Sequence, residues 1–330
     1  MPRVTLADVA ERVGVSAKSV SNVVNGTGWV SDAVRERILA AIDELGYRPN
    51  LAARQLRNGR SGLIALVVPD LREPYFAEFA SRFVARAQQR ALTVLVAQTG
   101  GEHAAELDMM SGVGFPALDG IVLSPLQLTA ADVADRPPSP PLIVIGEQAE
   151  ALVGPGVHHV GIDNVTAAAA ATAHLLDAGR RRIAAVGVQE AGPSATSRLR
   201  FDGYRRALDT AGIPLDPALF ATVEHFNRAE GSRAVQRLLD DGVDFDALFC
   251  FSDSLALGAL YTLGSAGIAV PERVAVMGFD GIEEGRFHIP TFSTVNPGVE
   301  DAAGTILDLL GAPALPPGAH HSVPYAIIAR

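Results

Sequence analysis

The chain of 330 residues exceeds the usual size of one domain and is 48% apolar, so two or three folding units with sizeable cores are expected. No apolar run follows a basic amino terminus and none reaches about 18 residues, which predicts a cytoplasmic protein without a signal peptide or a membrane span. The net charge of −10 argues against a nucleic-acid partner for most of the chain, but residues 1–60 hold nine Lys or Arg against six Asp or Glu, a local surplus of +3.

Residues 5–25 have the outline of a helix-turn-helix. An apolar stripe at positions i, i+3, i+4 and i+7 predicts the first helix and consists of Leu6, Val9, Ala10 and Val13. Gly14 allows the sharp turn that follows, and Ser16 is expected to cap the second helix by accepting a hydrogen bond from the backbone of Lys18 or Ser19. Three valines of the second helix are expected to point inward: Val20, Val23 and Val24.

The opposite face of the second helix is polar and suits contact with DNA. Four side chains on it lie three or four residues apart and can hydrogen-bond to phosphates or base edges in a major groove: Lys18, Ser21, Asn22 and Asn25. A third helix is expected to open at Ser31 and to close a small bundle near Tyr47. Such patterns also arise by chance in helical proteins, but the amino-terminal position and the basic segment that follows favour DNA binding.

The segment after the third helix is a short hinge. Pro49 stops the helix, and residues 50–57 are helix-prone with Asn50 as the expected cap. A helix of this length is marginal in water, so it is expected to order only against a dimer mate or DNA. A plain interdomain linker is the alternative.

From Gly62 onward, apolar runs of strand length alternate with helical stretches, which is typical of parallel α/β structure. Eight strands are predicted, near residues 62–68, 93–97, 120–123, 142–145, 157–162, 183–188, 247–251 and 274–279. Residues 323–328 are also strand-like. Cys250 is the single cysteine, and within the apolar run Ala247–Phe251 it is expected to fill the core rather than to act as a nucleophile.

Polar residues follow several of these strands, and ligands of open α/β sheets bind at the carboxyl ends of strands. The residues at such positions are Asp70, Tyr75, Phe76, Glu147, Ser252, Asp253 and Asp280. Alternative roles are helix capping for Asp253 and Asp163, and a surface ion pair for Arg198.

No cofactor and no metal are expected. The chain has no dinucleotide-binding glycine motif, no phosphate loop and no nucleophile elbow after a strand. The histidine pairs at 158–159 and 320–321 lack the helical spacing of metal ligands.

Six runs of the amino-terminal segment form a recognisable signature: Val4–Ala10, Gly14–Ser16, Val20–Ser21, Val23–Gly26, Gly46–Asn50 and Ala52–Leu56. Nearly residue for residue, they resemble the headpiece and hinge signature of the lactose-repressor (LacI/GalR) family of bacterial transcription regulators. The resemblance extends along essentially the whole chain. The headpiece departs from the family at Asn22, where Arg is frequent, and Ala17 and Lys18 occupy its most variable base-reading positions.

The resemblance implies an α/β protein with a helix-turn-helix headpiece at 1–48, a hinge helix at 49–60 and an effector-binding and dimerisation domain at 61–330. That domain would have two lobes, as in periplasmic sugar-binding proteins. The first lobe would hold about 61–161 and 293–320, and the second about 162–292 and 321–330. The chain would cross between them near Asp163, near residues 293–297 and near Ser322.

The resemblance also implies which residues bind DNA. They are Thr5, Ser16, Ala17, Lys18, Ser21, Asn22, Asn25, Tyr47, Asn50, Ala53, Arg54 and Leu56. Paired hinge helices would lie in the minor groove at the operator centre, where Leu56 wedges between base pairs and the small Ala53 permits close approach. Arg54 and Arg57 would face phosphates.

Arg200 and Asp280 match family positions that bind ligand hydroxyls, Arg200 as donor and Asp280 as acceptor. Such a pair suits a sugar, because vicinal hydroxyls donate and accept at once. The other effector candidates are Tyr75, Phe76, Glu147 and Asp253. The family often has Arg-Gln-Pro where this chain has Asn296 and Pro297, so a customary polar contact is absent or is supplied by Asn296.

The expected function is a transcriptional regulator, a repressor of carbohydrate-related genes, that binds a palindromic operator and is controlled by a small ligand, a sugar or sugar derivative. No heptad leucines follow residues 323–328, which favours a homodimer. The competing functions are a doubly wound sugar-modifying enzyme with an accessory DNA-binding head and a plain sugar-binding receptor. The missing catalytic motif opposes the first, and the DNA-reading head opposes the second.

Overall fold

The computed structural model of the protein describes residues 4–47, 60–134, 136–137, 139–146, 151–189, 195–312 and 317–330. The chain forms two compact units that divide between Ser61 and Gly62. Several predicted functional residues lie outside the described residues: Asn50, Ala53, Arg54, Leu56 and Arg57 of the hinge, and Glu147.

The first unit contains three helices, α1 (Leu6–Val13), α2 (Ala17–Asn25) and α3 (Asp32–Leu45). Thr5 caps α1 through a reciprocal pair of hydrogen bonds with Asp8: the Asp8 amide donates to Thr5 Oγ1 at 3.3 Å, and the Thr5 amide donates to Asp8 Oδ2 at 2.7 Å. Gly14 ends α1 with a φ of 72°, a left-handed conformation that turns the chain towards α2.

The apolar stripes of the three helices meet in one core. Its buried members are Val9, Ala10, Val13, Val20, Val23, Ile38, Ala41 and Tyr47. The predicted cap of α2 is confirmed, since Ser16 Oγ accepts a hydrogen bond from the Ser19 amide at 3.1 Å. Ser31 precedes α3 as predicted, although its side chain makes no capping hydrogen bond.

The second unit is built from two six-stranded sheets. Its strands are β1 (Leu63–Val68), β2 (Thr93–Gln98), β3 (Gly120–Leu123), β4 (Leu142–Ile145), β5 (Val157–Gly161), β6 (Ile183–Val188), β7 (Phe220–Thr222), β8 (Ala247–Cys250), β9 (Ala275–Phe279), β10 (Ser293–Asn296), β11 (His320–Ser322) and β12 (Ala326–Ile328). Sheet 1 has the order β11-β5-β4-β3-β1-β2, and sheet 2 has the order β12-β10-β9-β8-β6-β7.

Helices alternate with these strands along the chain. They are α4 (Pro74–Gln89), α5 (His103–Met110), α6 (Ala130–Ala134), α7 (Asn164–Asp177), α8 (Ala195–Thr210), α9 (Arg228–Asp240), α10 (Asp253–Ser265), α11 (Glu284–Phe287) and α12 (Val299–Gly311). No described helix is both long and apolar enough to cross a membrane.

The predicted parallel α/β architecture is confirmed. All eight predicted strands are present with ends within one residue of the expected positions, and neighbouring strands pair in parallel except β10 with β12. β7, β10 and β11 were not predicted, because they are short and lack a long apolar run. Cys250 is buried in the core as predicted, and burial raises the pKa of its thiol.

Each sheet and the helices packed on it form one lobe. In the first lobe, apolar clusters cover both faces of sheet 1, and α12 contributes Ile306, Leu307 and Leu310 to one of them. In the second lobe, a single large cluster joins sheet 2 to α7, α8, α9 and α10. Each lobe is therefore a doubly wound unit, in which helices pack on a mostly parallel sheet.

The chain passes between the lobes three times: after β5, between β10 and α12, and between β11 and β12. Two predicted boundaries are wrong. Residues 293–296 were assigned to the first lobe, but β10 pairs in parallel with β9 and therefore belongs to sheet 2. Residues 321–322 likewise belong to sheet 1 rather than to the second lobe, because they pair with β5.

Candidate functional site

A cavity of about 660 Å³ lies between the two lobes of the second unit. It is lined by residues that follow the carboxyl ends of strands and by the first turns of nearby helices, as expected for an open α/β protein. Predicted effector residues that line it are Tyr75, Phe76, Arg200 and Asp280. Their roles towards a ligand stay predictions, but the structure brings all four to one place.

Arg200 lies on α8 and is only 5% exposed. Its Nε donates a hydrogen bond to Asn164 Oδ1 at 3.0 Å, and its Nη1 donates to the carbonyl oxygen of Phe251. The guanidinium carbon also lies 3.5 Å from the centre of the Phe279 ring. These contacts hold the planar group in one orientation, which is what recognition of a ligand by a buried cation requires.

Asp280 follows β9 directly and has a φ of 115°, a left-handed conformation that is unusual for a residue other than glycine. Its amide donates to the carbonyl oxygen of Val295 at 2.9 Å, which fastens the backbone to β10. Asp280 Oδ1 lies 3.6 Å from Arg200 Nη1. The cavity therefore presents a hydrogen-bond donor and an acceptor side by side, the arrangement that engages neighbouring hydroxyl groups.

The predicted effector role of Asp253 is wrong. Its side chain is fully buried and does not line the cavity. It accepts hydrogen bonds from Thr294 Oγ1 at 2.6 Å and from the Ile282 amide at 2.9 Å. A helix-capping role for Asp253 is also wrong, because Ser252 caps α10 by accepting from the Leu255 amide at 3.1 Å.

Asp253 instead positions the loop that carries Asp280. Thr294 Oγ1, which donates to Asp253, also accepts a hydrogen bond from the Gly281 amide at 3.3 Å. Burial raises the pKa of the Asp253 carboxyl, although its hydrogen bonds to Thr294 and Ile282 act in the opposite direction.

Two polar residues outside the cavity have local roles. The predicted capping role of Asp163 is confirmed, since its side chain accepts a hydrogen bond from the Thr166 amide of α7 at 2.9 Å. Arg198 lies on α8, is exposed and does not line the cavity. Its position agrees with a surface role rather than with a contact to a ligand.

The amino-terminal end of α4 forms one wall of the cavity. Tyr75 and Phe76 lie there with their ring centres 5.2 Å apart in an edge-to-face arrangement. The preceding Glu73 also lines the cavity, and its Oε2 accepts a hydrogen bond from Ser254 Oγ of the second lobe at 2.9 Å. Burial raises the pKa of Glu73.

Sequence reasoning missed several lining residues, including Glu73, Gln127, His159 and Asn164. Asn164 could have been suspected because it follows a predicted strand. His159 could not, because it lies within β5, where its Nε2 contacts the Gly146 carbonyl oxygen at 2.8 Å and its Nδ1 lies 2.6 Å from His320 Nδ1 on β11. Within the described ranges, no three His, Cys, Asp or Glu residues are arranged to hold a metal.

The candidate DNA-reading surface lies on α2 of the first unit. Ala17 and Lys18 are exposed there, and Asn22 is half-buried. Thr5 and Ser16 are exposed, but both side chains already cap helices. Asn25 ends α2, and its side chain lies outside the part of the chain that the structure describes.

Two predicted DNA contacts do not lie on an open face. Ser21 is 6% exposed, because it lies at the border between the valine stripe and the polar face and its short side chain is covered. Tyr47 is 8% exposed and packs into the headpiece core. Ser21 is therefore largely covered rather than open on the polar face of α2, and Tyr47 supports the headpiece core. Their roles in DNA binding stay predictions.

Comparison with known proteins identifies the family. A model for bacterial regulatory proteins of the lacI family matches residues 5–50, and a model for a periplasmic binding protein-like domain matches residues 172–330. The HTH-type transcriptional repressor CytR of Escherichia coli K12 is 33% identical over 292 residues, which cover 88% of this chain and 84% of CytR.

Solved structures of similar proteins support the same family. A LacI-family transcriptional regulator from Sanguibacter keddieii is 39% identical with a TM-score of 0.74, and the match covers 82% of this chain and 98% of the regulator. The complex of the transcriptional regulator CelR with cellobiose is 30% identical with a TM-score of 0.64, and the match covers 99% of both chains. The chain therefore belongs to the LacI family of bacterial regulatory proteins.

Proposed function

We propose that the protein is a cytoplasmic transcriptional repressor that binds a palindromic operator as a homodimer and responds to a saccharide in the cavity between its lobes. The observation that carries the proposal is the pair of buried Arg200 and half-buried Asp280, 3.6 Å apart on the wall of that cavity, in a chain that also contains a helix-turn-helix. Of the relatives described above, CytR is a transcriptional repressor and CelR is a transcriptional regulator.

The charges around the cavity favour an uncharged saccharide over a sugar phosphate. Among the described lining residues, the carboxylates are Asp70, Glu73, Glu102, Glu224 and Asp280, and the arginines are Arg72 and Arg200. Five negative and two positive groups leave a net charge of −3. Arg72 is paired with Asp70 at 2.7 Å, and Arg200 is close to Asp280, so a phosphate would meet mainly carboxylates. The cellobiose bound by CelR is a neutral sugar of this kind.

The lobes are joined by side-chain contacts that a ligand can influence. Besides the bond between Glu73 and Ser254, Glu78 Oε1 of the first lobe accepts a hydrogen bond from the Glu283 amide of the second lobe at 2.8 Å. A ligand that binds both lobes changes the balance between closed and open arrangements, and this change is transmitted to operator affinity as a coupling free energy.

Exposed apolar residues on the second lobe support self-association. Tyr261 is 71% exposed, Phe287 is 70% exposed and Ile289 is 91% exposed. Large apolar side chains in such positions are typical of surfaces that bind another protein. A second copy of the chain is the expected partner, because a palindromic operator requires two headpieces.

The test has two steps. In the first step, duplexes that the full-length protein selects from a random library should share a palindrome. In the second step, neutral mono- and disaccharides, including cellobiose, are screened for thermal stabilisation of the protein and for a change in its affinity for the selected duplex. The proposal expects at least one neutral sugar to do both, and Asp280→Ala to abolish both effects. Selection of no common sequence would contradict the DNA-binding part, and stabilisation that survives Asp280→Ala would contradict the site.

A further inference from the structure

The headpiece carries an exposed tryptophan that none of the expected roles uses. Trp29 is the only tryptophan of the chain and is 88% exposed. It lies in residues 26–31, the connection between α2 and α3. A single exposed aromatic residue is not unusual, so its position relative to the reading helix decides whether it has a role.

The connection ends α2 and then passes beside the Asn22 side chain. The Thr27 amide donates to the carbonyl oxygen of Asn22 at 2.9 Å, a backbone bond that terminates the helix. Gly28 has a φ of 68°, and a Cβ added there would lie 2.6 Å from Asn22 Nδ2, so glycine allows the connection to pass close to the Asn22 side chain. Trp29 therefore follows a segment that touches one of the predicted base-reading residues.

The charge of the headpiece makes neutral contacts to DNA important. Residues 1–48 contain six arginines or lysines and six acidic residues, a net charge of zero. Arg12 is paired with Glu44 at 2.8 Å, and Arg37 donates to the carbonyl oxygen of Val13. Attraction between cationic side chains and phosphates, which usually dominates affinity for DNA, is therefore weak for the three helices alone.

We propose that Trp29 contacts the sugar-phosphate backbone of the duplex beside the groove that α2 enters. The indole Nε1–H donates a hydrogen bond to a phosphate oxygen, and the ring face packs on deoxyribose. Because the contact involves no base edge, it adds affinity without selecting a sequence. The proposal rests on DNA binding by the headpiece, as inferred above.

The tryptophan itself reports the contact. Full-length protein is titrated with a random-sequence duplex at low salt while Trp29 emission and its quenching by acrylamide are recorded, and binding is followed separately by the anisotropy of a labelled duplex. The proposal expects the emission to change and the quenching to fall in step with binding. Binding of the duplex without either change overturns it. Failure of the wild-type protein to bind any duplex overturns both this proposal and DNA binding itself.

Variants separate this contact from an ionic one. Trp29→Ala should weaken binding of selected and random duplexes alike by about tenfold, because a hydrogen bond to a charged group is lost. The dependence of the affinity on salt should stay unchanged, since the indole is neutral, whereas Lys18→Ala should reduce the salt slope by about 0.9 if Lys18 contacts a phosphate. Trp29→Phe, which keeps a ring but loses the N–H, should fall between Trp29→Ala and wild type.

Leu39→Ala is the matched control, because Leu39 is 51% exposed on α3 and is another large apolar residue of the headpiece. It should leave DNA affinity at the wild-type level. If Trp29→Ala also leaves DNA affinity unchanged, or changes only the oligomeric state, Trp29 serves a protein partner and the proposal is overturned. A loss confined to the selected duplex would equally overturn it, because it would show a base contact.

Discussion

Replacement of Glu106 by Gln tests how a buried carboxylate supports the cavity wall. Glu106 lies on α5 and is fully buried. One carboxylate oxygen accepts a hydrogen bond from the Leu126 amide at 2.7 Å, and the other accepts from the amides of Gln127 and Leu128, each at 3.0 Å. Leu126 and Gln127 line the cavity, so this single side chain shapes the wall formed by the segment after β3.

Glutamine has nearly the same size but can accept through one oxygen only. Its NH₂ group must face one or two backbone N–H donors, so at least one hydrogen bond to a charged acceptor is lost and a donor is left opposite a donor. The expected destabilisation is about 2–4 kcal/mol. For a chain of this size the melting temperature should fall by roughly 3–8 °C.

Thermal and urea unfolding of the full-length protein, followed by circular dichroism, would measure the loss. Glu102→Gln is the matched control, because Glu102 is exposed, precedes the same helix and makes no capping hydrogen bond with its side chain. A Glu106→Gln variant within about 1 kcal/mol of wild type would refute the assignment of three strong hydrogen bonds to this carboxylate.

Three further predictions concern the cavity, the buried Asp253 and self-association. Asp280→Ala should remove stabilisation by any neutral sugar that stabilises the wild-type protein, and isothermal titration would check the loss of binding. Because burial raises the pKa of Asp253, the folded protein binds more protons than the unfolded chain between a pH of about 4 and that raised pKa. The free energy of unfolding should therefore fall as pH rises across this interval and level off above it. Asp253→Asn should lack this component of the pH dependence, and an unaltered pH profile in urea unfolding would contradict the burial argument. Ile289→Asp should convert the protein to a monomer in sedimentation experiments. The Ile289 side chain is 91% exposed in the single chain and is expected to be covered in the dimer, where a charge would be unfavourable. A variant that still dimerises would exclude Ile289 from the interface.

The strands were predictable because buried parallel strands are continuous apolar runs. β3, β4 and β6 have the predicted ends, and their residues are almost entirely buried. β11 was not predictable in this way, because His320 and His321 give no apolar signal and the strand forms only through pairing with β5. Pairing between residues far apart in sequence also placed β10 in the second lobe. Local pattern thus identifies buried strands, and tertiary contacts decide the edge strands.

The candidate site was predictable only in part, for a similar reason. A polar residue after a strand reaches the carboxyl edge of the sheet, but the pattern does not indicate on which side of that edge the side chain lies. Asp280 and Asp253 both satisfied the rule, and only Asp280 lines the cavity. Gly278 explains the difference, because a Cβ added there would lie 2.1 Å from Asp253 Oδ1, so the absence of a side chain at Gly278 admits the buried carboxylate.

Glu73 takes part both in the lining of the cavity and in a contact between the two lobes. Its carboxylate lines the cavity and also accepts the hydrogen bond from Ser254 in the opposite lobe, so a ligand hydroxyl that donates to Glu73 acts on a contact between the lobes. A hydrogen bond to a charged acceptor contributes about 1.5–3 kcal/mol. Coupling free energies between effector and DNA sites are typically about 1–3 kcal/mol. The change in free energy from strengthening or weakening this one contact is therefore large enough to shift operator affinity by roughly tenfold. No wider rearrangement of the cores of the two lobes is needed.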